Sequence, residues 1–160
     1  MFIARRFSVV LAALCSLFVS PAHAGIEEAV KAVQSGDVAT AEKELLTLAK
    51  ERDPRAQFLL GFYVYGHPES KLFDLTKAAP LLLDAAERGY TPAIIPLAGI
   101  YAEGKGLPKS FQESYKWVAI AERWNVPNAS QLLEQLGREL KPDEIEKAKA
   151  AALAFTFKTK

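Results

Sequence analysis

Few residues in this sequence of 160 could carry hydrolytic or metal chemistry. Its single cysteine is Cys15, and its two histidines are His23 and His67. A serine or cysteine nucleophile needs a neighbouring base, and a zinc site needs several histidine or cysteine ligands. Cys15 and His23 lie in an N-terminal segment that resembles a removable signal, which would leave His67 alone. We therefore predict no metal and no cofactor, and we interpret His67 as a solvated loop side chain.

Two short motifs could suggest catalysis. Acyl transfer by a serine on a helix uses a lysine three residues later. No serine here has that neighbour, and only Thr40 and Thr47 precede a lysine at this spacing, on a helix of surface type. The segment Gly104-Lys105-Gly106 is too short for a phosphate-binding loop and has no strand before it. We predict that it is a turn between helices, and we assign no catalytic residue.

Residues 1–24 have the pattern of a secretory signal peptide. Arg5 and Arg6 precede the apolar run 7–19, and small residues stand at Ala22 and Ala24, where a signal peptidase acts. The run is shorter than the roughly 20 residues that a membrane-spanning helix needs. We expect cleavage after Ala24, a periplasmic or secreted protein, and no stable membrane insertion afterwards. An uncleaved anchor is the alternative.

Residues 25–160 are enough for one domain. Without Arg5 and Arg6, 18 basic residues stand against 19 acidic ones, and no basic stripe is present to neutralise a phosphate backbone. Nucleic acid is therefore not an expected partner, and we expect a monomer. This part of the chain also lacks cysteine, so packing alone must hold the fold.

The hydrophobic period and the start and stop signals predict an all-α fold of about eight helices. Asp37 and Asp53 are expected to cap the second and third helices, while Ser110 and Glu113 form the capping box of the sixth. Trp117 and Trp124 would share a buried stripe on the sixth helix, and Phe155 would lie on the eighth. The predicted ranges are 26–34, 38–51, 54–65, 76–88, 92–103, 111–124, 128–140 and a last helix from 142.

A repeat of 36 to 37 residues runs through the chain. Ala56, Ala93 and Ala129 are 37 and 36 residues apart, and a fixed period of this length is typical of stacked helical hairpins. The units span about 25–53, 54–90 and 91–127, followed by helices in 128–157. The repeat positions are Ala56, Leu60, Gly61, Ala78, Leu81, Ala85 and Gly89 in one unit and Ala93, Leu97, Tyr101, Gly104, Gly106, Trp117 and Ala121 in the next.

These positions resemble the Sel-one-like repeat family, a relative of the tetratricopeptide repeats. Its unit has a leucine-glycine pair, a tyrosine three residues later, a glycine-x-glycine turn, a tryptophan and a closing glycine. The unit at 54–90 departs from the pattern, because Val64 stands where tyrosine is expected and its turn has one extra residue. The resemblance implies a right-handed α-solenoid, an α-α superhelix of antiparallel hairpins that presents a concave surface to partners.

The resemblance implies a non-catalytic adaptor or scaffold in the cell envelope that binds a protein or peptide. Some exported family members are described as penicillin-binding or weakly β-lactam-hydrolysing, so a cell-wall-directed hydrolase or glycan-binding accessory is an alternative. The paired cysteines of those members are missing here. A secreted effector is a third interpretation, because it would share the same fold.

Three aromatic residues of the third helix suggest where a partner binds. Phe58, Phe62 and Tyr65 lie at i, i+4 and i+7 and are therefore expected to share one face. At the 37-residue offset their counterparts on the fifth helix are smaller: Ile95, Gly99 and Ala102. Large side chains beside small ones can leave a groove, so we predict an aromatic-walled partner site. The alternative is that these rings only fill the core.

Overall fold

The computed structural model describes residues 21–158, and these residues form eight α-helices and no strand. The predicted all-α class is therefore confirmed. The predicted signal segment lies outside the described residues except for 21–24, which belong to the first helix. The helices are α1 (Pro21–Ser35), α2 (Val38–Lys50), α3 (Pro54–Leu59), α4 (Leu75–Glu87), α5 (Ile94–Glu103), α6 (Phe111–Arg123), α7 (Ala129–Gly137) and α8 (Pro142–Ala154). A π-helical segment, Leu60–Tyr65, continues α3, and a 3-10 turn, Thr91–Ala93, precedes α5.

Side-chain caps begin the helices where the sequence predicts them. The Asp37 carboxylate accepts from the backbone N–H of Thr40, and the Asp53 carboxylate accepts from two N–H groups of α3. Ser110 caps α6 by accepting from the Glu113 N–H at 3.1 Å. The predicted reciprocal half of this capping box is wrong, because the Ser110 N–H donates to the Tyr101 carbonyl at 2.8 Å instead.

Successive helices pack as hairpins, and small residues lie where they meet. α1 packs on α2, α3 with the π-helical segment on α4, and α5 on α6, while α6 also contacts α7 and α8. The repeat alanines Ala56, Ala78 and Ala93 are completely buried. At Gly61 a Cβ atom would lie only 3.1 Å from the Ala78 carbonyl oxygen, so the backbones of the π-helical segment and α4 almost touch. The small residues therefore set the spacing between helices.

The π-helical segment corrects the predicted third helix, which the sequence assigns as α-helix throughout 54–65. It also shifts the repeat. The Asp74 N–H donates to the Tyr65 carbonyl at 2.8 Å, and in the next unit the Ser110 N–H donates to the Tyr101 carbonyl at the same distance. Tyr65 is thus the counterpart of Tyr101, and the connections from tyrosine to helix cap have equal length. The extra residue of the unit at 54–90 therefore lies in the helical part before Tyr65. The prediction that this residue lies in the turn is wrong.

The ends of α6 and α8 differ from the predicted stripes. Ser114, Trp117 and Ala121 are buried, but Trp124 follows the last turn of α6 and is 54% exposed. α8 ends at Ala154, and Phe155 has extended backbone with φ −68° and ψ 131°. Phe155 therefore lies beyond the helix on which it was predicted. Among residues 21–158, no helix combines the length and the apolar character that crossing a bilayer requires.

Substitution of two glycines tests how much the close approach of backbones contributes to the free energy of unfolding. Both have positive φ, +76° at Gly36 and +89° at Gly106. A Cβ at Gly36 would meet nothing within 4 Å, whereas one at Gly106 would lie 2.2 Å from the Leu75 carbonyl oxygen at the start of α4. We expect Gly36→Ala to lower the free energy of unfolding by about 1–2 kcal/mol, the cost of left-handed backbone, and Gly106→Ala to lower it further. Denaturant unfolding measures both, and equal losses would contradict the proposed contact.

Candidate interaction surface

Two apolar pockets lie on either side of Gly99 in α5. The first has a volume of about 440 Å³, and its walls come from the π-helical segment, the loop after it, and α5. The second, between α5, α6 and α7, has a volume of about 350 Å³. Gly99 lines both pockets, is exposed, and would have no atom within 4 Å of an added Cβ. The missing side chain at this position therefore leaves the two pockets adjacent.

The walls of the pockets include part of the predicted site. Phe62 lines the first pocket with Phe73, Leu82 and Ile100. Ile95, Gly99 and Ala102, the predicted small counterparts, all line the second pocket, together with Leu132 and Leu136 of α7. The structure thus brings Phe62 and Gly99 together. Phe73 and the α7 leucines were not predicted, because they come from a loop and from a helix outside the compared repeats.

An aromatic cluster supports the wall at Phe62. The ring of Phe58 stacks on that of Phe62 with centroids 5.4 Å apart, and Tyr63 meets Phe62 edge-on at 4.9 Å. Tyr90 lies 5.3 Å from Phe58. Such ring pairs contribute about 0.5–1.5 kcal/mol beyond their buried area. Phe58 therefore positions Phe62 and does not itself line either pocket.

Tyr65 lies apart from these rings, so the prediction that Phe58, Phe62 and Tyr65 share one face is wrong. Tyr65 is 5% exposed and belongs to the core around α1 and α2, where its hydroxyl donates to the Glu42 carboxylate at 2.5 Å. The physical reason is the π-helical segment. A π-helix bonds i→i+5 and therefore turns the chain by a smaller angle per residue than an α-helix does. Tyr65, three residues after Phe62, is consequently rotated away from the face on which Phe62 lies.

Burial raises the pKa of the Tyr65 hydroxyl above its ordinary value of 10, and the hydrogen bond to Glu42 raises it further. Both effects favour the protonated phenol, since the proton is shared with a carboxylate in a poorly solvated place. Tyr65 therefore ties the π-helical segment to α2.

A polar contact also fixes α3. The Gln57 side chain is buried, and its Nε2 donates to the Asp84 carboxylate of α4 at 2.6 Å. Arg88 lies 3.3 Å from the same carboxylate. Burial raises the pKa of Asp84, but the Gln57 hydrogen bond and the Arg88 charge outweigh it, so the pKa is lowered and the carboxylate stays ionised. This contact holds the aromatic cluster against α4.

Charged groups stand only at the edges of the pockets. Glu103 and Lys105 line the edge of the first pocket and form an exposed ion pair at 2.9 Å. Glu139 lines the second pocket, is exposed, and forms no ion pair with any residue in 21–158. The surface therefore consists of apolar floors with one uncompensated carboxylate at its α7 end.

The candidate chemical residues His67, Thr40 and Thr47 line neither pocket, although the neighbours of His67, Gly66 and Pro68, line the first. His67 is exposed, and its Nδ1 accepts from the Glu69 N–H at 3.3 Å. The nearby Ser70 hydroxyl donates to the Val64 carbonyl, and the Thr40 hydroxyl donates to Asp37. The Ser70 hydroxyl thus satisfies a backbone carbonyl and the Thr40 hydroxyl a capping carboxylate, and neither is hydrogen-bonded to a histidine or a lysine within residues 21–158. Within residues 21–158, no cluster of three or more histidine, cysteine, aspartate or glutamate side chains could hold a metal ion.

Comparison with known proteins defines the class of fold. No family model and no curated protein matches the chain significantly. A crystal structure of c5321, a protective antigen present in uropathogenic Escherichia coli strains that displays an SLR fold, superposes on 84% of this chain with a TM-score of 0.75 and 20% identity. The chain covers 29% of the length of c5321.

The eight packed helices are therefore an α-solenoid, as predicted. More specifically, the chain has the SLR fold, the fold of Sel-one-like repeats that its repeat positions resemble.

The corrected place of Tyr65 gives a test by pH. We expect Tyr65→Phe to lower the free energy of unfolding by about 1–3 kcal/mol at pH 8, because Glu42 loses its donor. The raised pKa stabilises the native protein below the unfolded value of 10, and this contribution is lost as the pH rises above 10 toward the folded pKa. The difference in the free energy of unfolding between the wild type and Tyr65→Phe should therefore become smaller above pH 10, which urea unfolding curves at several pH values can measure.

The matched control is Tyr63→Phe, since Tyr63 is 38% exposed. It should change stability by less than about 0.5 kcal/mol, as surface substitutions usually do. Equal effects of the two substitutions would contradict the special role of the Tyr65 hydroxyl.

Proposed function

We propose that this chain is a non-catalytic protein–protein interaction module that binds a segment of a partner protein across the two pockets beside Gly99. The observation that carries this proposal is the pair of apolar pockets on the two flanks of α5, which share Gly99, a residue without a side chain, as a lining residue. Apolar clefts of roughly 300–1,000 Å³ are the usual size of sites that take up a large side chain or a small ligand.

The mechanism would be binding to a preformed groove. The floor residues Leu82 and Ile100 belong to the core, at 2% and 8% exposure. A partner that inserts its side chains there orders few groups of this chain, so little conformational entropy is lost on its side. Repeat arrays often present such extended surfaces.

The partner segment can be described by its chemistry. Two adjacent pockets favour two large apolar side chains on one face of the segment. Glu139, which lacks an ion pair within residues 21–158, favours a lysine or arginine at the α7 end. We therefore infer an amphipathic partner segment with two apolar anchors and a basic residue at the end that lies beside α7. Charge complementarity of this kind sets orientation and association rate more than affinity.

Substitution of Gly99 tests the site. Gly99→Ala should raise the free energy of unfolding by about 0.5–1 kcal/mol, because alanine is the better helix former and has room here. Gly99→Phe should also fold, but its ring would occupy the pockets and abolish partner binding. Crosslinking in cell extract followed by mass spectrometry should identify a protein captured by the wild type and by Gly99→Ala and lost with Gly99→Phe.

Two results would count against the proposed surface. One is a partner that binds Gly99→Phe as tightly as the wild type. Removing the edge charge of Glu139 should reduce the salt dependence of binding. The other contrary result is therefore a partner that binds Glu139→Gln with the same affinity and the same salt dependence as the wild type.

We further infer that the module works in the cell envelope or outside the cell. The support is the signal-like pattern of residues 1–24. The protein isolated from its native cells should then begin at Gly25, and intact-mass measurement checks this. A species that keeps residues 1–24 and sediments with membranes would be the opposite result.

A further inference from the structure

The C-terminal residues 155–158 form an extended segment that turns back over earlier helices. The Phe155 ring meets the Trp117 ring edge-on, with centroids 5.1 Å apart. The Phe157 ring meets Trp124 in the same way at 5.3 Å. In an extended chain, alternate side chains point to the same side, so the two phenylalanines contact Trp117 and Trp124 while Thr156 between them is exposed.

Polar contacts fix the direction of this segment. The Lys158 N–H donates to the Glu87 carbonyl at 2.7 Å, and the Lys158 ammonium pairs with the Glu87 carboxylate. The Phe157 ring lies over Gly89, 3.5 Å from the position of an added Cβ, which is an ordinary van der Waals distance. The tail groove is defined here as Glu87, Gly89, Trp117 and Trp124.

We propose that the tail groove is a second peptide-binding site, distinct from the pockets beside Gly99, that recognises an extended Phe-x-Phe-Lys segment and is filled in cis by residues 155–158. Two aromatic subsites two residues apart select the phenylalanines. The Glu87 carbonyl and carboxylate select an N–H group and a basic side chain at the following position.

The bound segment has the features of a ligand. Apart from its aromatic contacts, it is held by the Lys158 contacts with Glu87, and Trp124 remains 54% exposed beside it. Chain ends with few contacts open most readily. A separate hydrogen bond from the Arg123 guanidinium to the Ala152 carbonyl, 2.7 Å long, fixes the end of α8. The helix can therefore stay in place while the tail leaves.

The tail also limits access by other peptides. A tethered segment competes at an effective concentration of about millimolar, so a peptide in solution must bind a groove that is mostly occupied. Its apparent affinity falls in proportion to the open fraction. The tail groove would thus favour partners that present the same motif at high local concentration.

Tryptophan fluorescence can test this proposal directly, because the chain has two tryptophans and both lie in the tail groove. The protein is the full chain with Phe155→Ser and Phe157→Ser, and the probe is a synthetic peptide with the sequence of residues 154–160. We expect the peptide to shift the emission of the double variant and to bind the wild type about tenfold more weakly. Adding Glu87→Gln to the double variant should weaken peptide binding.

A peptide with both phenylalanines replaced by serine is the control ligand, and Thr156→Ser is the control protein, which should behave as the wild type. The proposal is overturned if the folded double variant leaves the peptide unbound. It is equally overturned if Phe157→Ser alone unfolds the protein by circular dichroism, since the tail would then be part of the core.

Discussion

The fold depends on how closely its helix backbones approach one another at small residues. Ala56, Ala78 and Ala93 are completely buried, and a Cβ at Gly61 would lie only 3.1 Å from the Ala78 carbonyl oxygen, so its neighbours would have to shift. Close packing of this kind gives each helix pair many weak contacts at short range. Because the sequence has one cysteine, Cys15, no disulfide can form within the chain, and the spacing set by these small residues limits where larger side chains can go.

The candidate surface follows from the same constraint. Large side chains cannot lie where the backbones touch, and Phe58, Phe62 and Tyr90 instead form a cluster that is only partly buried against the core. Gly99 does not lie at such a contact, since an added Cβ would meet nothing there. A small residue that packs against no neighbour costs helix stability, and in this chain it lines two pockets at once.

The sequence predicted the parts of the fold that depend on local signals. The eight helices, the caps at Asp37 and Asp53, and the buried repeat alanines follow from period and from side chains next to the residues that they satisfy. The π-helical segment does not have a local signal, and neither does the return of residues 155–158 over α6. Both depend on contacts with distant residues, and for that reason Tyr65 was predicted on the wrong face. Phe62 and Gly99 line one pocket, and partner binding there stays a prediction.

The π-helical segment has a consequence for how such chains are aligned. Ala56 matches Ala93 at an offset of 37, whereas Tyr65 matches Tyr101 and Asp74 matches Ser110 at an offset of 36. An alignment program that prefers gaps in loops would put the one-residue gap after Gly66, although the loops have equal length. The gap belongs inside the helix, within 61–65. Repeats in which a tyrosine is displaced by one residue from its expected position can therefore be searched for helical insertions before they are scored as degenerate.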